Sequence, residues 1–515
     1  MASRTDLFES MPPVADRQRS APASNLQGIG NHQRLTRRWR TATQCTVVAL
    51  GDLAAFLLAA SLALSLALQS GKMSVPDFYS PAQQLRMGLY FGLALFWVLW
   101  FGVVKQSCIN RRPFWAELQQ MLLALLGLGL LDLALVSISR AEFSRTWWAV
   151  AWLSLSILLP GARRVSRMLL QSVDLWSRPT VIFGCGENAR QAYLAMCSEP
   201  IMGFNVRAFL DPRRSAQVRV SDILSPCAGI PLLPWVGSED EVNLLRSYHC
   251  VIAVEADQWE TRDALIRELT RNRIVDVHVI PAMRGVPLYG LETAQFFSHE
   301  VLLIQLRNNL ASGLYRTLKR TFDIVVSSAL LALLSPLLAY VALKISKDGG
   351  PPIFGHTRIG RDGKAFKCLK FRSMVVNAQE ILSKLLATDP EAKAEWDKDF
   401  KLKNDPRINE IGHFLRKTSL DELPQLWNVL KGEMSLVGPR PIVQDELSRY
   451  GDDVAYYLLA RPGMTGLWQV SGRNNVDYAT RVYLDSWYVK NWSLWSDIAI
   501  LFKTVGVVTD RSGAY

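Results

Sequence analysis

Two kinds of residue are scarce for a chain of 515 residues: charged side chains make up 20%, and there are only seven cysteines. The cysteines are scattered and form no CxxC pair, which argues against a disulfide framework or a zinc ribbon and favours a reducing compartment. None of the six histidines is paired at metal-ligand spacing. Helix-turn-helix, finger and RNA-binding signatures are also missing, so nucleic acid is not expected as a partner despite the net charge of +12.

Apolar residues, in contrast, make up 49% of the chain and are grouped into runs. Four runs predict a bundle of four membrane-spanning helices within residues 41–168. Their approximate bounds are Thr43–Gln69, Met87–Val104, Met121–Ile138 and Trp147–Pro160. Basic residues are concentrated before the first run, between the second and third, and after the fourth, which places both ends of the bundle in the cytoplasm of a bacterial inner membrane. The polar residues 1–40 predict a disordered cytoplasmic tail rather than a signal peptide.

Two acidic residues, Asp52 and Asp132, lie within or beside these runs. An acid inside a membrane is a functional candidate by default. The favoured interpretation is nevertheless a structural one, in which each carboxylate bonds to a neighbouring helix or lies near an interface. A transporter component is a further reading, suggested by the bundle alone.

The segment 178–300 alternates short apolar strands with helices, which predicts a Rossmann-like parallel α/β domain. Strands are expected at Thr180–Phe183, Val206–Leu210, Val251–Val254 and Val275–Ile280, and helices at Arg190–Cys197 and near Asp263–Arg273. Gly184, Gly186 and Ala189 form a GxGxxA turn, and Asp211 ends the second strand. This spacing suits a nucleotide phosphate at a helix N-terminus. A tight turn in a structural, regulatory or dimerising domain is the alternative.

A fifth apolar run, about Ile324–Ile345, has basic residues on both flanks, so charge gives no reason for the following chain to cross the membrane. Ser335-Pro336 lies near its middle, and proline removes a helical hydrogen bond, so a kink is expected there. The sequence therefore predicts a re-entrant membrane helix over residues 322–346, with Ser335 bonding a freed backbone group. An ordinary fifth span is the alternative.

The most specific motifs lie in residues 312–515, which are predicted to form an α+β catalytic domain. Six basic side chains are available to offset the charge of phosphate substrates: Lys370, Arg372, Arg407, Arg416, Lys417 and Arg440. An acidic pair, Asp421-Glu422, lies among them, and a carboxylate can attack phosphorus to form an acyl phosphate. The motif blocks are KFRSM from Lys370, DPRI from Asp405, LRKTSLDELPQL from Leu415, GEMSLVGPRP from Gly432 and PGMTGLWQV from Pro462.

In their order and content these blocks resemble the polyprenyl-phosphate sugar phosphotransferases, the monotopic phosphoglycosyl transferase superfamily. With the bundle and the GxGxxA domain, the resemblance is to the large multi-domain members, especially those that transfer galactose-1-phosphate. It implies a UDP-sugar donor, an undecaprenyl phosphate acceptor, Mg²⁺ as cofactor and a membrane location with the catalytic domain in the cytoplasm. It implies that Asp421 is the nucleophile, that Glu422 assists by holding Mg²⁺ or managing a proton, that Arg416 holds the lipid phosphate, and that Lys370 and Arg440 shape the anion site.

Several alternatives stay open at this point. Ser419-Leu420-Asp421-Glu422 also matches a capping box, and Asp421 could itself be an N-cap. Thr465 and Trp468 could line a nucleotide pocket or simply pack. Trp487, Trp492 and Trp495 precede the apolar stretch Ile498–Val508 and suggest a lipid interface, with a core helix as the alternative. The transferred sugar could be glucose, the chain could be an inactive nucleotide-sensing scaffold, and a homodimer is possible.

Overall fold

The computed structural model describes residues 37–70, 80–139, 144–212, 229–235, 237–274, 276–283, 285–288, 292–295, 302–305, 309–389, 393, 405–471 and 477–509. Most of the predicted N-terminal tail lies outside these residues. The chain divides into two compact units, Val14–Met283 and Arg284–Tyr515, the second also taking in Met1–Pro13, which are not described. We call them the membrane-bundle unit and the catalytic unit and describe each by itself.

Four long helices form the predicted bundle. They are α1 (Arg37–Gln69), α2 (Pro81–Leu99, continued by a π-helical turn to Val104), α3 (Phe114–Ser139) and α4 (Arg145–Ser172). Aromatic and aliphatic side chains, among them Phe56, Tyr90 and Trp97, fill the space between them. The fourth helix runs three turns beyond its predicted end, because Pro160 is accommodated inside it.

One of the four bundle helices is less apolar than the others. Among the residues that the structure describes, the helices long and apolar enough to cross a membrane, by length and composition, are Trp39–Gln69, Gln83–Val104, Phe114–Ile138 and Gly313–Ile345. Helix α4 is not among them, and its last third carries Arg163, Arg164 and Arg167. Three of the four predicted spans of the bundle are therefore matched by composition, as is the fifth apolar run. That α4 crosses the membrane and that the fifth run re-enters it stay predictions.

The acidic residues of the bundle are paired, as the structural interpretation predicted. Asp132 accepts two hydrogen bonds from the guanidinium of Arg86, one of them 2.7 Å long, and a third from the Trp152 indole. Asp52 accepts from Arg163 at 2.7 Å and from the Trp97 indole at 2.9 Å. All of these groups are buried, so each charge is neutralised inside the bundle.

A five-stranded parallel sheet follows the bundle and confirms the predicted α/β arrangement. Its strands are β1 (Arg178–Phe183), β2 (Phe204–Asp211), β3 (Leu232–Pro234), β4 (His249–Ile252) and β5 (Val277–Val279), in the order 3-2-1-4-5. Helices α5 (Glu187–Ser198), α6 (Glu239–Leu245) and α7 (Trp259–Arg271) connect them. Both faces of the sheet are buried, which explains the continuous apolar runs in β1 and β4.

Polar contacts join the sheet to the loop between α2 and α3. The Arg111 guanidinium donates to the carbonyls of Trp176 and Met202 and lies 3.9 Å from the Trp176 ring. Arg178, at the start of β1, donates to the carbonyl of Cys108. The basic loop residues are therefore used to attach the sheet to this end of the bundle.

The catalytic unit is a mixture of helices and two-stranded sheets. It comprises a hairpin of β6 (Glu292–Gln295) and β7 (Leu302–Gln305), helix α8 (Gly313–Ile345), a hairpin of β8 (Ile353–Ile359) and β9 (Ala365–Phe371), α9 (Ala378–Thr388), α10 (Glu410–Thr418), α11 (Gln425–Lys431), β10 (Ser435–Val437), α12 (Val454–Leu459), β11 (Gly463–Thr465), α13 (Leu467–Val470), α14 (Tyr478–Lys490) and α15 (Leu494–Thr509). Strands β10 and β11 pair in parallel, and their cluster with α11 and α14 forms the main core.

Helix α8, which contains the fifth apolar run, is one continuous helix of 33 residues. Pro336 lies inside this helix and does not divide it into two segments, and the kink predicted at this residue stays a prediction. The local compensation is observed: the Ser335 hydroxyl donates to the carbonyl of Ala332 at 2.9 Å. This carbonyl is the one left without its usual partner by a proline four residues later.

Candidate active site

The acidic pair lies on a single 3-10 turn, Leu420–Glu422, between α10 and α11. Ser419 ends α10 in the left-handed conformation, at φ +56°, and its side chain makes no capping hydrogen bond. Pro424, not Asp421, stands at the start of α11. The capping-box and N-cap interpretations are therefore wrong. Because neither carboxylate is used by the helix, both remain available for chemistry.

Lys370 brings a positive charge to this turn from the end of β9. Its Nζ lies 2.7 Å from Oε1 of Glu422 and 3.8 Å from Oδ2 of Asp421. The side chain of Asp421 is 14% exposed, whereas those of Glu422 and Lys370 are 36% and 40% exposed. The structure thus brings together three of the predicted site residues in a half-buried cluster of two acids and one base.

Asn428 fixes the distance between β9 and the acidic turn, and sequence reasoning missed it. Its side-chain amide donates to the carbonyl of Lys367 and accepts from the backbone N–H of Leu369. This two-point contact joins α11, directly after the acidic pair, to the strand that carries Lys370. An Asn among the apolar residues of a helix, four residues after Pro424, was the signal available in the sequence.

Burial and charge oppose each other in the cluster. Burial raises the pKa of Asp421, and the neighbouring Glu422 raises it further, while Lys370 and Arg416 only partly offset the rise. Burial lowers the pKa of Lys370, but the two carboxylates outweigh that effect and the net direction is upward. Lys370 is therefore held as an ammonium ion, beside a carboxyl group that is more basic than an ordinary aspartate.

The remaining predicted cations divide into two groups. The Nε of Arg416 donates to the Ser373 hydroxyl at 3.0 Å, and its charge is close enough to Asp421 to lower the pKa of that carboxyl group. Lys417 is exposed. Arg372 instead donates to the carbonyls of Pro351, Met374 and Ile345, and Arg407 forms a buried two-point ion pair with Asp405.

These contacts give Arg372 and Arg407 a structural role. Arg372 ties the end of α8 to the segment after β9, and the Arg407 charge is neutralised within its own motif. The geometry therefore gives no support to the prediction that these two side chains contact substrate. For Arg416 and Lys370, contact with the substrate stays a prediction.

A second basic group surrounds Trp468. The guanidinium carbons of Arg440 and Arg481 lie 5.4 and 4.7 Å from its ring. Asp485 lies behind them, fully buried, and accepts hydrogen bonds from the backbone N–H of Arg440 and the hydroxyl of Tyr450. Burial, partly offset by these partners, raises the pKa of Asp485 to about 7. Arg481 lies outside the motif blocks, so only the three-dimensional structure could place it here.

The backbone around Arg440 is fixed by a close crossing of two motif loops. A Cβ on Gly438 would lie 2.4 Å from the Arg461 carbonyl, and one on Gly463 would lie 2.1 Å from the Gly438 nitrogen. Only glycine allows this approach. Thr465, the next residue of interest, is buried and shares a 2.8 Å hydrogen bond with Thr504, and Trp468 is only 8% exposed, so both favour the packing interpretation.

The GxGxxA turn adopts the expected strand-to-helix geometry, but an internal carboxylate lies at the helix N-terminus. Glu255 accepts a hydrogen bond of 2.6 Å from the backbone N–H of Asn188. A Cβ on Gly186 would lie 2.5 Å from the same Glu255 oxygen. In this structure the glycine admits a protein side chain, and Gly184 and Ala189 pack against β4. Asp211 is buried at the end of β2. Nucleotide binding here stays a prediction.

The C-terminal tryptophans differ in how far they are exposed. The indole of Trp492 is 1% exposed and donates to Asp497, so the lipid-interface interpretation is wrong for this residue. Trp487 is 37% exposed, and Phe502 and Val505 on α15 are also exposed. For these the interface stays a prediction.

Comparison with known proteins relates the chain to enzymes of surface polysaccharide synthesis. The bacterial sugar transferase profile matches residues 314–511, the part that contains the acidic turn and both basic groups. The chain is 48% identical over 473 residues to the UDP-galactose-lipid carrier transferase of Erwinia amylovora, covering 91% of this chain and 97% of that protein. The chain belongs to the bacterial sugar transferase family.

Two further relatives differ in how much of the chain they match. The undecaprenyl-phosphate galactose phosphotransferase of Salmonella typhimurium is 50% identical over 442 residues, covering 85% of this chain and 90% of that protein. The UDP-glucose:undecaprenyl-phosphate glucose-1-phosphate transferase of Escherichia coli is 41% identical over 215 residues, covering 40% and 43%. The two relatives named for galactose therefore match this bacterial sugar transferase over most of its length, whereas the one named for glucose matches over a shorter stretch. The predicted transferase class is confirmed.

Proposed function

We propose that the protein transfers galactose-1-phosphate from UDP-galactose to undecaprenyl phosphate, releasing UMP and leaving undecaprenyl-diphosphate-galactose in the membrane. The observation that carries the proposal is the Asp421–Glu422 turn with the Lys370 ammonium between its two carboxylates. Support for galactose comes from the two relatives that match nearly the whole chain and carry galactose in their names.

The reaction proceeds in two displacements. A carboxylate oxygen of Asp421 attacks the phosphorus next to the sugar, the bond from that phosphorus to the UMP oxygen breaks, and UMP leaves with the bonding electrons. The phosphosugar is then held as an acyl phosphate. An oxygen of the lipid phosphate attacks the same phosphorus, the bond to Asp421 breaks, and the carboxylate is regenerated. Both substrates can thus use one site in turn.

Each neighbouring side chain has an electrostatic task in this scheme. Lys370 lowers the repulsion between the incoming diphosphate and the carboxylates, since its charge lies within 3.8 Å of both. Among the described residues the side chain of Arg416 bonds through Nε to Ser373, and its other N–H groups are proposed to bind the lipid phosphate. Arg440 and Arg481 offer a second anion-binding surface around Trp468.

The donor set fits magnesium. Asp421 and Glu422 supply two adjacent, partly exposed carboxylates, the hard oxygen ligands through which Mg²⁺ usually binds in phosphate-handling sites. The ammonium group of Lys370 lies 2.7 Å from Glu422, which indicates that the carboxylate pair attracts cations. Bound there, Mg²⁺ would supply charge neutralisation for the diphosphate oxygens.

We also propose that α8 enters the membrane from the cytoplasmic side without crossing it. Both ends of this helix are packed on the same unit. Lys319, near its start, is bonded to Asp497, whereas Ile345, at its end, packs with Phe371 and Leu415. If the helix crossed the bilayer, the unit that packs on both of its ends would have to lie on both sides of the membrane.

Labelled donor tests the covalent step. UDP-galactose carrying ³²P in the phosphate next to the sugar is added without lipid acceptor, the protein is denatured, and radioactivity in the protein band is measured. We expect label on the wild type that hydroxylamine removes, and none on Asp421→Asn. Asp445→Asn, which changes an exposed carboxylate of the same unit, is the matched control and should label normally. An unlabelled wild type that still releases UMP would reject the intermediate.

Sugar choice and orientation need separate measurements. UDP-galactose should give a higher kcat/KM than UDP-glucose, and the reverse order would assign the protein to the glucose enzymes. A green fluorescent protein fused after residue 515 should fluoresce, because it folds in the cytoplasm. An active periplasmic alkaline phosphatase fused at the same point would show that α8 crosses the membrane.

A further inference from the structure

Two histidines and an aspartate that are far apart in the sequence meet at one edge of the parallel sheet. His249 is the first residue of β4, Asp276 immediately precedes β5, and His278 is in β5. The Nδ1 of His249 lies 2.9 Å from Oδ1 of Asp276, and that of His278 lies 3.9 Å from the same oxygen. One ligand atom from each residue falls within 4.8 Å of the others. None of these residues has a place in the proposed transfer reaction.

The close contact between His249 and Asp276 is not a hydrogen bond. His249 is 3% exposed, and its Nδ1 has no hydrogen-bond partner among the residues that the structure describes. The Asp276 oxygen is therefore near this nitrogen but out of line with its N–H direction. Such an arrangement is expected when both atoms point towards a common third position, such as that of a metal ion, and not towards each other. A buried ring nitrogen without a partner otherwise costs free energy.

We propose that His249, Asp276 and His278 bind a zinc ion. Two imidazoles and one carboxylate are a ligand set that suits Zn²⁺. Tetrahedral bonds of about 2.0–2.1 Å separate neighbouring ligand atoms by about 3.4 Å. To reach this separation, the 2.9 Å pair would have to open by about 0.5 Å and the 3.9 Å pair to close by about 0.5 Å. The side chain of His278 is 62% exposed, so an ion bound there would be accessible to solvent.

The surroundings orient the site and set its selectivity. The Phe204 ring stacks on His249 at 5.1 Å and holds that imidazole in place. Arg111 and Arg178 are close enough to act electrostatically on Asp276 and His278, respectively. Their positive charges weaken the binding of every divalent cation alike, whereas the two imidazoles favour Zn²⁺ over Mg²⁺ and Ca²⁺, which prefer oxygen ligands.

The position indicates a stabilising metal rather than a catalytic one. Strand β5 is a three-residue edge strand that pairs only with β4. A bond from each strand to one ion would fix this edge. The same edge adjoins Arg178, which attaches the sheet to the Cys108 loop of the bundle. Zinc binding should therefore raise the unfolding temperature of the membrane-bundle unit, because the unfolded chain lacks the assembled site.

Cobalt titration of the full-length protein tests the proposal. The protein is purified in detergent with a tag that contains no histidine, stripped with chelator, and titrated with Co²⁺ while the visible absorption is recorded. We expect one Co²⁺ per chain with the intense bands of a tetrahedral site, displaced by Zn²⁺. His278→Ala should weaken binding at least about tenfold, the loss found when even an outer-shell partner is removed.

Two controls separate this site from others. His356→Ala removes an exposed histidine in the catalytic unit and should bind Co²⁺ like the wild type. The double variant Asp421→Asn/Glu422→Gln removes the proposed magnesium ligands and should also bind normally. Because His278 is exposed, its alanine variant should fold, and Zn²⁺ should then raise the unfolding temperature of the wild type and of both controls but not that of His278→Ala. Equal Co²⁺ binding by the wild type and His278→Ala, or no cobalt spectrum at all, would overturn the proposal.

Discussion

The buried ion pair between Lys319 and Asp497 should hold helix α8 to the catalytic unit. The Lys319 ammonium donates to Asp497 at 2.7 Å, to the Val437 carbonyl at 3.0 Å and to the Tyr488 hydroxyl at 3.2 Å. The side chains of the pair are 7% and 1% exposed. Lys319→Met keeps the length of the side chain but removes the charge, leaving a buried carboxylate without its cation.

The cost can be worked out from this geometry. Removing one partner of a buried pair destabilises by about 3–5 kcal/mol, because the remaining charge is desolvated. Two donors, Tyr488 and the Trp492 indole, remain on Asp497 and favour the lower part of that range. Each 1.4 kcal/mol is a factor of ten, so the opening constant of the region should rise by roughly two to three powers of ten.

Hydrogen exchange read by mass spectrometry is the suitable assay, because a chain with two units does not unfold in one step. Peptides from α15 and β10 should exchange faster in Lys319→Met and unchanged in Lys503→Met, which alters an exposed lysine on α15. Adding Asp497→Asn should recover part of the protection, since it removes the stranded charge. Protection equal to that of Lys503→Met would show that the pair contributes nothing and refute the reasoning.

The sign of the pH effect gives an independent check. Burial raises the pKa of Asp497, with Lys319 as its main opposing partner, so removal of Lys319 raises it further. The carboxyl group of the variant then takes up a proton more readily as the pH falls. The loss of protection should therefore be largest at alkaline pH and shrink on acidification.

Three further predictions concern the site and the sheet. Asp485, with its pKa raised from 3.8 to about 7, contributes stability that is complete below pH 3.8 and is lost as the pH rises to about 7. The free energy of unfolding should therefore fall by up to roughly 4 kcal/mol between pH 4 and 8, and Asp485→Asn should flatten this decline. Arg372→Lys should lower the free energy of unfolding by about 1–3 kcal/mol, since lysine cannot reach three carbonyls. Arg416→Lys should instead leave the free energy of unfolding unchanged and raise the KM for the lipid phosphate. Equal effects of the two variants on both quantities would contradict this division of roles. Gly186→Ala should destabilise the sheet by about 1–3 kcal/mol, because the added methyl group clashes with Glu255. Adding Glu255→Ala should remove the clash and restore the hydrogen-exchange rates of β1 and α5. Rates that do not recover in the double variant would argue against this contact.

The elements predicted best were those with a strong local pattern. The apolar runs of the bundle and the glycine turn after β1 produced helices and a strand near the expected positions. Strand β3 was missed because Leu232–Pro234 has only three residues and ends in proline. The end of α4 was missed because Pro160 suggested a stop, while ion pairs with distant acids allow the helix to continue past Arg163.

In the candidate active site, too, features that depend on the local sequence were predicted, and features that depend on contacts with distant residues were not. The acidic pair and Lys370 were found from motif content, but the S-x-x-E pattern suggested a cap because it presupposes an extended serine, and Ser419 is left-handed. The partners of Arg372 are backbone carbonyls, which leave no trace in side-chain identity. Arg481 reaches Trp468 only through the packing of α14.

The charge pairs buried in the bundle restrict how its helices can move. Sliding α2 past α3 would separate Arg86 from Asp132, and shifting α1 against α4 would separate Asp52 from Arg163. Each stranded charge would then face hydrocarbon, at a cost of about 2.5–3.5 kcal/mol or more. Alternating access requires such rocking motions, and the buried ion pairs oppose them. The charges inside the bundle therefore disfavour the transporter interpretation.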